Sequence, residues 1–171
     1  MKNTLIKQLT ASLVLTGMLA ATLTGQAMTT KQADTIMSTA TGLIGKAYLW
    51  GGKDPTKGGL DCSGLSQWSY KQAGISIPTS AAQQYGACNK CVNTKTKAAL
   101  LFFATDPKKP GTVTHVTLSS GDGTNSIGAN GGPNYDSKGN VISSYGKVVK
   151  FKFGDSYWGP KLLTCAMSSS W

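Results

Sequence analysis

Between Thr29 and Gly45 the apolar residues Ala33, Ile36, Met37, Ala40, Leu43 and Ile44 recur three and four positions apart, the spacing of one helix face. Thr29 and Thr30 stand where a helix cap belongs, and Gly45 stands where the helix would end. Tyr48 to Leu60 is rich in Gly, Lys and Pro and reads as a loop. A second helix fits Cys62 to Ala73, with Leu65, Trp68 and Ala73 inward and Gly74 at its C-terminal end. A short third helix is predicted to start at Thr79 or Ser80, after Pro78.

The pattern then changes period. Ala98 to Ala104 is a continuous apolar run, as in a strand buried on both faces. Thr112 to Ser119 alternates, Gly121-Asp122-Gly123 makes a hairpin turn, and Thr124 to Ala129 returns. Val141 to Ser144 and Lys147 to Phe153 read as two further strands, separated by Tyr145-Gly146. Helices first and strands afterwards define an α+β class with N-terminal helices packed on a central antiparallel sheet.

Composition adds compartment and excludes several partners. Lys2 and Lys7, an uncharged stretch with its apolar centre at Ala11 to Ala21, and Gly25-Gln26-Ala27 have the layout of a secretory signal peptide. Residues 1–27 are therefore expected to be removed on export, leaving one domain over 28–171. Thr, Ser, Gly and Gln dilute the segment too much for a good spanning helix, so no stable membrane insertion is expected after cleavage. The 171-residue chain carries 17 lysines against 7 aspartates, a net charge of +10, with neither Arg nor Glu. That balance suits a polyanionic wall or surface. Nucleic acid is a poor partner, because Arg is the residue that grips phosphate and guanine with two parallel bonds.

Chemistry centres on Cys62 and on His115, the single histidine. Cys62 follows Gly58-Gly59-Leu60-Asp61 and opens a predicted helix. A thiol there faces unpaired N–H groups and the positive end of the helix dipole, which favours a thiolate and offers donors to an oxyanion. A thiolate nucleophile needs a proton relay, and His115 on a predicted strand supplies the one imidazole. Taken alone, a helix cysteine is commonly a small core residue and a strand histidine a structural one. A nucleophile at a helix start facing a base on a strand is the papain-like arrangement.

Tyr48-Leu49-Trp50-Gly51-Gly52 followed by Gly59-Leu60-Asp61-Cys62-Ser63-Gly64-Leu65 resembles the signature of the NlpC-type cell-wall cysteine peptidases. The likeness continues through Tyr70, Gly74-Ile75, Ile77-Pro78 and Ser80 to Gln84, and resumes at Leu101-Phe102-Phe103 and Thr114-His115-Val116. Tyr157-Trp158-Gly159-Pro160 sits where that family often has an aromatic segment closing the domain. The resemblance implies a papain-like murein endopeptidase with Cys62 as nucleophile and His115 as base and then acid. It implies Tyr48 near the oxyanion, and Asp61 and Ser63 as residues that help recognise the peptide stem. The plainer roles are packing for Tyr48 and Trp50 and a helix cap for Asp61.

Two departures stand out. Where the family usually has a string like Ile-His-Ala carrying the residue that orients the base, this chain has Ile127-Gly128-Ala129. Asn130 is the best substitute and Asn125 another, since an amide can hold an imidazole tautomer. The acidic residue that often precedes the buried strand is replaced by Lys97-Ala98-Ala99.

In an oxidising compartment Cys62 must stay unpaired, leaving Cys88, Cys91 and Cys165. Cys88 and Cys91 could close on each other, or one could pair with Cys165; the short ring would contribute less. A zinc site would have to consume Cys62 or His115, so no metal and no other cofactor is expected. The expected protein is an exported monomer, periplasmic or extracellular, that cuts an amide bond in peptidoglycan stem peptides, the D-glutamyl to diamino acid bond by resemblance. The rivals are a secreted effector amidase on the same fold, a more distant acyl-transferring relative, and an inactive wall-binding module.

Overall fold

The computed structural model describes residues 28–87, 89–91 and 93–167, so the expected signal segment, residues 1–27, and Cys88 lie outside the described residues. Helix α1 spans Thr30–Gly42. Thr29 caps it in a reciprocal pair: the Gln32 N–H donates to Thr29 Oγ1 at 3.2 Å, and the Thr29 N–H donates to Gln32 Oε1 at 2.9 Å. Ala33, Ile36, Met37 and Ala40 are buried as their spacing requires. Ile44 is the exception, 45% exposed, because the helix ends at Gly42 and the chain turns before Ile44 can join that face.

The segment expected as plain loop carries a two-stranded ribbon, β1 (Lys53–Asp54) and β2 (Gly59–Leu60), around a 3-10 turn at Pro55–Lys57. Helix α2 spans Cys62–Gln72 and α3 spans Ala81–Ala87. The inward face of α2 is small and polar: Ser63, Gly64, Ser66 and Ser69 are buried beside Leu65 and Tyr70, while Trp68 is only half-buried. Its polar atoms are largely satisfied in place. Ser66 Oγ donates to Gln84 Oε1 at 2.9 Å, and Tyr70 Oη donates to the Ala98 carbonyl at 2.8 Å.

The main sheet is antiparallel throughout, in the order β3 (Asn89–Cys91), β8 (Leu162–Met167), β4 (Leu100–Phe103), β5 (His115–Ser119), β6 (Asn125–Tyr135), β7 (Val141–Lys152). All four β4 residues are buried, as the apolar run predicts. Leu100 and Phe102 join the helix-side core with Ile36, Leu65, Val116 and Leu118. Leu101 and Phe103 face the other way, under Phe153, Phe151, Trp158 and Leu162.

Three expectations are corrected. Val141 to Ser144 and Lys147 to Phe153 form one strand, β7, because Tyr145 and Gly146 stay in register opposite Gly132 and Gly131. Gly146 adopts φ +101°, and a side chain there would strike the Asn130 carbonyl, so the apparent break is a close crossing of two glycine backbones. Strand β6 runs to Tyr135, well beyond Ala129, and accommodates Pro133 where no strand flanks it on the β5 side. Strands β3 and β8 are absent from the sequence pattern; β8 slots between β3 and β4 and sets Cys91 opposite Cys165 in register.

Residues 45–49 form a strap that ties β7 to the ribbon. The Gly45 N–H donates to the Val148 carbonyl at 2.9 Å and the Tyr48 N–H to the Gly146 carbonyl at 3.0 Å. On its other side the Leu49 N–H donates to the Leu60 carbonyl at 3.1 Å. Tyr48 is thereby held inside the fold beside the start of α2.

Candidate active site

Asp61 builds the start of α2. One of its oxygens accepts the Gly64 N–H at 2.6 Å and the Ser63 hydroxyl at 2.9 Å. Lys53 Nζ donates to both Asp61 oxygens, at 2.8 and 2.9 Å, and to Ser63 Oγ at 2.8 Å. Asp61 is thus both the helix cap and half of a partly buried ion pair. Gly64 is required by space, since a Cβ there would overlap the Gly52 carbonyl oxygen. The loop and the helix start are therefore one unit, with Cys62 at its apex.

The sheet opens to admit that apex. Strands β5 and β6 are paired only at Leu118↔Ile127 and Ser119↔Ser126. Towards His115 the ladder stops. The Ser119 N–H points to β4 and the Ser120 N–H to β6, so by alternation the Val116 N–H points towards the β6 side. That N–H and the Ser63 N–H both favour the Cys62 thiolate. Cys62 is half-buried and packs against the helix-side core that includes Val116, the residue next to His115.

His115 and Phe103 are opposite in the β4–β5 register, so the imidazole stands on the face away from the helices. Its Nε2 is 3.1 Å from Asn130 Oδ1. An amide oxygen only accepts, so this pair assigns the proton to Nε2 and leaves Nδ1 as the basic nitrogen. Asn125 goes elsewhere, donating to Asp122 at 2.7 Å. Trp158 stacks on the imidazole, with ring centres 5.2 Å apart and planes inclined by 29°. A cleft of about 320 Å³ opens here, lined by Thr105, His115, Asn130, Gly131, Tyr145, Tyr157 and Trp158.

Electrostatics favour an uncharged resting pair. Burial and the Asp61 charge push the Cys62 thiol up to about 11, against the opposing pull of the Val116 and Ser63 N–H groups and Lys53. The thiolate-favouring effect expected of a helix start is thus outweighed in the free protein. Burial pushes His115 down to about 4, although Asn130 and Asp61 both favour its cation. Tyr48 is held well above the usual phenol range by burial and by the neighbouring charges of Cys62 and Asp61, so its hydroxyl remains a donor.

The structure therefore groups Cys62, His115, Asn130, Tyr48, Asp61 and Ser63 around one helix start and one strand end. Sequence reasoning missed Lys53, whose role depends on the β1–β2 ribbon, and the Val116 N–H, which carries no side-chain signal. Trp158 was noted only as part of a closing aromatic segment, with no partner assigned. Among the described residues no cluster of three or more metal-ligating side chains occurs, and no helix is long and apolar enough to cross a membrane.

Residues 45–132 match the NlpC/P60 family, and the chain belongs to it. Over 90 residues, 53% of this chain, it is 39% identical to the bifunctional muramidase/DL-endopeptidase CwlT of Bacillus subtilis. Over 98 residues, 55% of this chain, it is 39% identical to a gamma-D-glutamyl-L-lysine dipeptidyl-peptidase of Bacillus cereus. The matched regions span only 27% and 28% of those relatives. Among solved structures, a lipoprotein-like NLP/P60-family protein of Staphylococcus aureus superposes with a TM-score of 0.62 at 28% identity. That likeness covers 82% of this chain and 42% of the other.

Proposed function

We propose that this protein is an exported cysteine endopeptidase that hydrolyses an amide bond in the peptide stem of peptidoglycan, the bond from D-glutamate to the diamino acid. The observation that carries this reading is an imidazole whose Nε2 lies 3.1 Å from Asn130 Oδ1, on the strand whose next residue, Val116, belongs to the core against which Cys62 packs at the start of α2. The peptidase names of the two Bacillus relatives support the substrate class.

In this reading substrate binding brings a carbonyl carbon to the Cys62 sulphur. The thiol proton passes to His115 Nδ1 as the C–S bond forms, so a thiolate never has to persist in the free enzyme. The oxyanion is held by backbone N–H groups at the start of α2 and by the Tyr48 hydroxyl, which its environment keeps protonated. His115 then gives its proton to the leaving amine as the C–N bond breaks. Water, deprotonated by the same imidazole, hydrolyses the thioester and restores the thiol. Asn130 keeps the proton on Nε2 throughout, and no cofactor takes part.

The test is digestion of purified peptidoglycan by residues 28–171, with Cys62→Ala alongside and the fragments weighed by mass spectrometry. New stem fragments made by the wild type and absent with the variant support the reading, and their masses name the bond. If neither protein cuts sacculi or free stem peptides under reducing conditions while both bind the wall, the peptidase reading fails and a binding module replaces it.

A further inference from the structure

Trp158 lies more than forty residues from His115 in sequence and on no regular strand, yet its ring is held in place from several sides. Asp155 Oδ1 accepts the N–H of Tyr157 at 2.9 Å and of Trp158 at 2.7 Å. The Lys161 ammonium donates to the Tyr157 carbonyl at 2.7 Å and lies 3.3 Å from the centre of the Tyr157 ring. The Lys161 carbonyl in turn accepts the Ala104 N–H at 2.9 Å, tying the segment to the end of β4. Phe103, Phe151 and Tyr157 make edge-on or tilted contacts with the indole, centres 4.8 to 5.2 Å away, and of these neighbours His115 is the one stacked on it.

We propose that Trp158 is a positioning residue for the His115 base, fixing the plane of the imidazole that Asn130 holds. A strand histidine with one hydrogen bond can still rotate about its side-chain torsions; a stacked ring at 29° removes that freedom. The same face meets the imidazolium during turnover, where an indole π cloud stabilises positive charge. Trp158 thus covers one face of the resting base and still accommodates its charged form. The reading rests on the assignment of Cys62 and His115 as nucleophile and base. The titratable groups facing the site are Asp61 and Cys62 from α2, Tyr48 from the strap, Tyr145 from β7, and Tyr157 beside Trp158 itself.

His115 is the only histidine, so its imidazole signals in a nitrogen-resolved NMR titration need no assignment. The expected result for Trp158→Ala is a rise of the His115 midpoint towards the ordinary value and a mixed tautomer population. A kcat loss of roughly tenfold or more, with KM little changed, should accompany it. Trp158→Phe, which keeps an aromatic face, should recover most of the midpoint, tautomer and kcat. An unchanged midpoint and tautomer in Trp158→Ala overturns the proposal, since a merely structural residue would lower thermal stability without moving either. If Trp158→Ala does not fold, Asp155→Ala, which loosens the segment without emptying the core, must shift His115 in the same direction; no shift there also overturns it. If the wild type cleaves no peptidoglycan but the His115 signals still follow Trp158, the function reading fails and the positioning role stands.

Discussion

Gly128 and Asn130 share one face of β6, and the amide of Asn130 occupies space that a side chain on Gly128 would enter. A Cβ built on Gly128 would lie 2.8 Å from Asn130 Oδ1 and 2.7 Å from Thr117 Cγ2. Residues two apart on a strand point the same way, so the bare position lets the longer neighbour reach back to His115. In the proposed mechanism Asn130 is the orienting group, and the glycine two residues before it leaves its amide room. Gly128→Ala should therefore displace the amide and lower kcat about as far as Asn130→Ala does, on the order of 10²-fold, with small changes in KM. Steady-state kinetics on a soluble stem peptide check this; normal turnover by Gly128→Ala would break the link between the two residues.

The ion pair beside Cys62 acts on the thiol in two opposed directions. Asp61 raises the Cys62 pKa and Lys53 lowers it. Asp61→Asn retains a good helix cap while removing the charge, so alkylation of Cys62 by iodoacetamide at pH 8 should quicken several-fold. Lys53→Met should slow it. Rates that move together, or not at all, would mean that the pair acts on Cys62 through packing alone.

His115 should make the protein sensitive to mild acid. Its folded pKa, about 4, lies below the unfolded value near 6.5, so between these limits the unfolded chain holds a proton that the folded one lacks. Stability is therefore full above the unfolded value, falls as the pH drops through this window, and levels out below the folded value. The loss amounts to about 3 kcal/mol. Asp54, Asp122 and Asp136 are held below the usual carboxylate range by hydrogen bonds and add acid sensitivity of the same sign at lower pH. They are common to wild type and His115→Gln, so urea denaturation of both from pH 7 to pH 4 isolates the histidine. Parallel curves would contradict the buried neutral imidazole.

Gly64 couples the helix to the loop that precedes it. Gly64→Ala forces the new methyl group against the Gly52 carbonyl, a backbone atom with nowhere to rotate. The substitution should cost about 1–3 kcal/mol by thermal or urea unfolding and reduce kcat as well, because Cys62 moves with the helix start. A Gly64→Ala protein with wild-type stability would mean that loop and helix are not so closely opposed.

Much of this is legible in the amino-acid sequence. Helix α1 is written in its apolar spacing and in the cap at Thr29, β4 in an unbroken apolar run, and the place of Cys62 in a short string of local backbone demands. Such signals survive in sequence because each arises between near neighbours, through periodicity, capping or the steric needs of a tight loop. The Tyr145-Gly146 break misled for the same reason: locally it looks like a turn, and only the glycines opposite it on β6 keep it in the strand.

The amino-acid sequence by itself determined the α+β order of elements, the start of α2 at Cys62 and the singular status of His115. Tertiary structure alone decided what surrounds them. The opening of the β5–β6 ladder that frees the Val116 N–H, the space above Gly128 that admits Asn130, the reach of Lys53 to Asp61 and the stacking of Trp158 on His115 all join segments distant along the chain. No local pattern encodes such meetings, because they depend on which strands lie side by side and on where their pairing stops. Burial has the same origin, and burial turns a thiol and an imidazole of ordinary acidity into an uncharged pair.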